Sequence, residues 1–88
     1  MNEVYLKIYG EVHGVGFRYQ ARVIATKLKL TGFVRNLPDG SVEIRAQGER
    51  DSLDQFITWV KGSSPGITKK IESKWGNATA PDLDFVII

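Results

Sequence analysis

Apolar residues recur along the chain at two different periods, and the switches between those periods divide it into elements. From Val4 to Ile8 the alternation is strict, with Val4, Leu6 and Ile8 on one face and Tyr5, Lys7 and Tyr9 on the other, which predicts a half-buried strand. Three glycines then fall within Gly10-Glu11-Val12-His13-Gly14-Val15-Gly16, the composition of a loop whose backbone turns sharply or stays uncovered. Phe17, Ala21, Ile24 and Leu28 form one helical stripe, and Lys27 and Lys29 suit the negative end of that helix's dipole. Gly32-Phe33-Val34-Arg35-Asn36 predicts a short strand, and Leu37-Pro38-Asp39-Gly40 has the chemistry of a hairpin turn. On the return, Val42, Ile44 and Ala46 alternate with Glu43, Arg45 and Gln47 until Gly48. Leu53, Phe56, Ile57 and Val60 predict a second helix, with Ser52 and Gln55 at capping-box spacing and Gly62 and Pro65 marking its stop. Ile67, Ile71, Ser73 and Trp75 share one parity of a later strand, and Leu83, Phe85 and Ile87 share one of a last strand beyond a Gly76 to Pro81 turn region.

The order strand, helix, strand, strand, helix, strand, with one more short strand, is the split βαβ pattern of the ferredoxin-like α+β fold: an antiparallel sheet with two helices on one face. A right-handed crossover makes the first two strands parallel, with the third between them. With strands about 4.8 Å apart, the loop after the first strand and the end of the second lie roughly 10 Å apart. The glycine loop and Arg18 should therefore face Asn36.

Composition narrows the chemistry. At 88 residues, 42% hydrophobic and 25% charged, the chain has the material for one soluble globular domain over residues 1–88. No cysteine is present, which removes disulfides, thiolate nucleophiles and Cys-ligated metals, and the single His13 excludes a multi-histidine metal site. A formal charge of +2 suits a small anion better than nucleic acid. The longest apolar runs are only a few residues, such as Phe85-Val86-Ile87-Ile88, and Met1-Asn2-Glu3 does not open a signal region, so a cytoplasmic protein without membrane attachment is expected.

The candidate chemistry lies in the loop and at Asn36. Glycines before a helix leave N–H groups unpaired and pointing outward, where the helix dipole favours a phosphate or carboxylate, and Arg18 could add a planar cationic fork. The loop lacks the Lys-Ser/Thr ending of a Walker loop, and Gly14-Val15-Gly16-Phe17-Arg18-Tyr19 misses the third glycine of a dinucleotide fingerprint. Each residue also has a plainer reading. Arg18 fits a solvated helix position, Asn36 a turn-tolerant strand end, and His13 a loop histidine packed by its neighbours. Tyr5, Tyr9 and Tyr19 fit the polar sides of their elements, and Trp59 and Trp75 the core or its edge.

Taken together, Gly10-Glu11-Val12-His13-Gly14-Val15-Gly16-Phe17-Arg18 resembles the first signature of the acylphosphatase family. Gly32-Phe33-Val34-Arg35-Asn36, followed by Gly40-Ser41-Val42 and Gly48, resembles its second in residue type and spacing. The resemblance implies that His13, Gly14, Val15, Gly16, Phe17 and Arg18 form a phosphate-binding loop, that Arg18 clamps the phosphate and that Asn36 orients the attacking water. It implies hydrolysis of a small-molecule acyl phosphate to a carboxylate and inorganic phosphate, without metal or cofactor, and a monomer is expected. His13 stands where the family usually has Gln.

Two readings from other classes compete. RNA-recognition modules share the βαββαβ order, but their aromatic platform belongs on the third strand, and Ser41-Val42-Glu43-Ile44-Arg45-Ala46-Gln47 holds no aromatic residue. A regulatory domain that binds a small anion without turnover is separated from an enzyme by activity alone.

Overall fold

A computed structural model describes residues 1–78 and 82–88. The elements are β1 (Asn2–Glu11), α1 (Phe17–Lys27), β2 (Thr31–Asn36), β3 (Val42–Gly48), α2 (Arg50–Gly62), β4 (Ile67–Asn77) and β5 (Phe85–Ile87). They form one sheet in the order β4-β1-β3-β2-β5. β3 is antiparallel to both β1 and β2, so those two run parallel on either side of it, as the crossover argument requires. The sheet is mixed rather than wholly antiparallel, because β5 pairs parallel to β2, Gly32 opposite Phe85 and Val34 opposite Ile87. Both helices cover one face, α1 over β2 and β5 and α2 over β1 and β3.

The apolar parity of each strand explains the layering. Val4, Leu6 and Ile8 of β1 and Val42, Ile44 and Ala46 of β3 are fully covered by the helices, which contribute Phe17, Ala21 and Ala25 from α1 and Leu53, Phe56 and Val60 from α2. Trp59 extends this core towards α1, its ring 5.7 Å from that of Phe17 and 5.8 Å from that of Phe56. Trp75 lies at the edge, with the Arg50 guanidinium 3.8 Å from its ring centroid.

Several boundaries differ from those the periodicity predicts. β1 continues through Gly10 and Glu11 and pairs with β4 over its whole length. Gly10 serves a close approach here: its φ is 140°, and a Cβ would fall on the Ile67 carbonyl. The pairing slips between Tyr9 and Gly10, which turns Ile67 to the opposite face from Ile71 and leaves it exposed. α2 starts at Arg50, directly after β3, with Glu49 as its N-cap and no side-chain cap bond. Ser52 is therefore already inside the helix rather than capping it. Leu83 precedes β5 and is almost fully exposed. In the expected Gly76 to Pro81 turn region, Gly76 and Asn77 belong to β4, and Thr79 to Pro81 lie outside the described residues.

The opposite sheet face is polar and internally paired. Tyr5 donates to Glu43, which also accepts from Arg35, and Tyr9 donates to Glu72 at 2.8 Å. The Phe33 ring lies between the guanidinium groups of Arg35 and Arg45, 5.7 and 5.3 Å from its centroid. The aromatic residues of this face are thus already engaged within the fold.

Candidate functional site

Between β1 and α1 the chain turns through Gly14 and Gly16, at φ 72° and 81°, a left-handed conformation that costs a side-chain-bearing residue about 1–2 kcal/mol. Gly16 is the N-cap of α1 and offers no side-chain bond to the first turn. The first helical bond joins the Gln20 N–H to the Gly16 carbonyl at 3.1 Å, and among the described residues no backbone carbonyl accepts from the N–H groups of residues 13–19. These donors and the positive end of the α1 dipole converge on one spot.

That spot is a pocket of about 190 Å³ lined by Val12, Gly14, Gly16, Phe17, Arg18, Tyr19, Asn36 and Ile87. Phe17 anchors the loop, since its ring is buried in the core while its backbone opens α1. Arg18 follows at the pocket wall, with no ion pair among the described residues and one long bond, 3.4 Å, from Nη1 to the Ile88 carbonyl. Asn36 ends β2 on the helix-covered face that Gly32 and Val34 share, which turns its amide under the loop. Its Oδ1 is buried and has no hydrogen-bond partner among the described residues.

The hairpin after Asn36 is braced from within. Leu37 N–H donates to the Ser41 carbonyl at 2.9 Å, and Asp39 accepts from the Ser41 N–H at 2.9 Å and from the Ser41 hydroxyl. These bonds from the Ser41 hydroxyl and amide, with Lys7 at 3.1 Å, lower the Asp39 carboxyl to about 2.

Of the residues expected to act, Gly14, Gly16, Phe17, Arg18 and Asn36 meet at the pocket, and His13 and Val15 do not line it. The His13 ring turns to the hairpin, its Nε2 2.7 Å from the Ser41 carbonyl, and the Val15 side chain lies beside Gly66. Tyr19 and Ile87 join the lining without any local signal in the sequence. Ile87 arrives only because β5 pairs with β2, an association between residues more than 50 positions apart.

A wider hollow of about 590 Å³ opens at the far end of the fold, beside Lys29, Glu49 and Arg50. Its Arg50 is committed to Asp54 and to the Trp75 ring. Among the described residues no group of three or more His, Cys, Asp or Glu is placed to hold a metal ion, and no helix is long and apolar enough to cross a membrane.

Known proteins resemble the chain in sequence and in fold. The chain is 47% identical over 66 residues to the acylphosphatase of Methanospirillum hungatei, covering 75% of this chain and 72% of that one. It is 51% identical over 63 residues to that of Pediococcus pentosaceus, covering 72% and 70%. The crystal structure of acylphosphatase from Bacillus subtilis superposes with a TM-score of 0.95 at 36% identity, over 100% of this chain and 99% of that one. The acylphosphatase family model matches residues 4–87, loop, hairpin and β5 included, and by that span the chain belongs to the acylphosphatase family.

Proposed function

We propose that the chain hydrolyses acyl phosphates, the mixed anhydrides of carboxylic and phosphoric acids, to a carboxylate and inorganic phosphate. The observation that carries this reading is that Asn36, whose Oδ1 is buried without a partner among the described residues, lines the same pocket as Arg18 and the loop glycines Gly14 and Gly16. A phosphoryl group at the loop would receive donors from its backbone and the planar fork of Arg18, where negative charge spreads over the equatorial oxygens. A water donating one proton to Asn36 Oδ1 is held with a lone pair free for in-line attack on phosphorus. The new bond joins that water oxygen to phosphorus, the bond from phosphorus to the acyl oxygen breaks, and its electron pair leaves on the carboxylate. The water's protons pass to the phosphate product and to solvent.

Asn36 takes no proton at neutral pH, and no Asp or Glu is among the residues that line the pocket. Such a site suits a leaving group that departs without protonation. A carboxylate does so, whereas an alkyl phosphate would expel a poor alkoxide. The setting proposed for this reaction is a monomer acting on a soluble substrate in the cytoplasm.

Release of carboxylate from benzoyl phosphate with EDTA present tests the reading. Wild type should turn over. Arg18→Ala should lose at least ~10²–10³ in rate, the scale of one oxyanion donor, together with phosphate affinity. Asn36→Ala should lose turnover and retain much of its phosphate binding, and equal loss of both would overturn the water-orienting role. A folded wild type that binds phosphate without turnover would identify an anion-binding module. The rate is further expected to be flat between about pH 5 and 8, because His13 does not line the pocket. A steep step in that range which disappears in His13→Gln would assign proton transfer to the ring.

A further inference from the structure

The geometry points to His13 as a positioning residue, whose ring locks the phosphate loop to the strand end that carries Asn36. The two halves of the site come from opposite ends of the β1-α1-β2 crossover, and each is ordered by its own bonds. The loop is held by Gly16 and the α1 start, and Asn36 by β2 and its hairpin. A water held by Asn36 attacks in line only if the distance between these halves is kept, and proximity of reacting groups is sensitive to errors of about 1 Å.

His13 Nε2 reaches the Ser41 carbonyl at 2.7 Å, across 28 positions of sequence. That carbonyl is also the acceptor of the Leu37 N–H at 2.9 Å, the first amide after Asn36. A carbonyl oxygen has two lone pairs, so one atom accepts from the phosphate loop and from the residue following the water-orienting amide. The Ser41 amide and hydroxyl are in turn held by Asp39, which keeps this acceptor from moving with the loop. Nε2 therefore carries the proton in this bond. The bond needs a donor at the reach of Nε2 and no basic nitrogen, a requirement that a glutamine amide nitrogen also meets.

This inference rests on the reading of the site as a hydrolase, and its test separates the two. Activity on benzoyl phosphate, inhibition by inorganic phosphate, and hydrogen exchange at the Leu37 amide are measured for wild type, His13→Ala and His13→Gln. His13→Ala should lower kcat about tenfold or more with KM and phosphate inhibition little changed, and should speed Leu37 exchange. His13→Gln should recover most of both losses. If wild type is inactive, the hydrolase reading fails, and Leu37 exchange alone decides the tie: faster in the alanine variant and restored by glutamine supports it. Unchanged exchange and kcat in His13→Ala overturn the proposal. So does a loss confined to KM and phosphate inhibition, which would make His13 a phosphate ligand, and so does failure of glutamine to restore what alanine removes.

Discussion

Asn36 and Asp39 stand three residues apart and illustrate opposite fates for a side-chain oxygen. Asn36 Oδ1 is buried without a partner among the described residues, a state that costs a polar atom about 1–3 kcal/mol and persists where a ligand or water supplies the missing bond. Asp39 is saturated by Ser41 and Lys7, and its carboxyl is lowered to about 2. A lowered carboxyl contributes stability that is fully present above its ordinary value of 3.8 and is lost as pH falls through about 2. The Asp39 side-chain carbon in an NMR titration should accordingly show its midpoint near 2, and the Ser41 amide signal should move with it. A midpoint near 3.8 would mean that the hairpin brace does not hold in solution. Both residues were visible in the sequence as turn formers. Only the environment separates a satisfied carboxylate from a waiting amide.

Among the elements, α1 is limited by its ends rather than its middle. It finishes in a Schellman arrangement, the Leu30 N–H bonding the Ala25 carbonyl at 2.9 Å and the Lys29 N–H bonding that of Thr26 at 3.1 Å. The left-handed position that this demands is occupied by Lys29, at φ 60°. Relieving that strain should outweigh the entropy glycine loses on folding, so Lys29→Gly should raise stability by about 0.5–1 kcal/mol, read as a higher urea midpoint at constant slope. A lower midpoint would show that Lys29 contributes through its charge at the helix end. The helical stripes were legible because periodicity is a property of neighbours along the chain. The start of α2 was not, because Ser52 and Gln55 imitate a capping box, whereas the paired end of β3 at Gly48 starts the helix before Ser52 is reached. Ile67 was misplaced for a related reason: a bulge between two strands reverses parity, and neither strand announces it alone.

Over the whole molecule, site and core share material. Phe17 is 1% exposed and packs against Trp59, yet its backbone opens the helix at the pocket. Phe17→Ala should therefore cost about 3–5 kcal/mol in denaturant unfolding, a large share of the ~5–15 kcal/mol that keeps a domain folded, and should weaken phosphate binding at temperatures where the variant remains folded. Wild-type phosphate affinity in the folded variant would uncouple loop from core. The polar sheet face shows the same economy of position. Burial alone would push the Glu43 carboxyl up, but bonds from Tyr5 and Arg35 outweigh it and the net shift is downward. Its contribution to stability is thus held above the ordinary carboxylate range and lost in acid.

By itself the sequence determined the element order, the covered faces of both helices and of β1 and β3, and the two clusters from which a phosphate site could be built, because each of these depends on spacing between near neighbours. The tertiary structure decided the rest. It paired β5 parallel to β2 and so brought Ile87 to the pocket, buried Asn36 Oδ1 without a partner, and turned His13 away from the pocket onto the Ser41 carbonyl. Each of those outcomes depends on where distant segments meet, which is settled by packing and register rather than by the residues on either side.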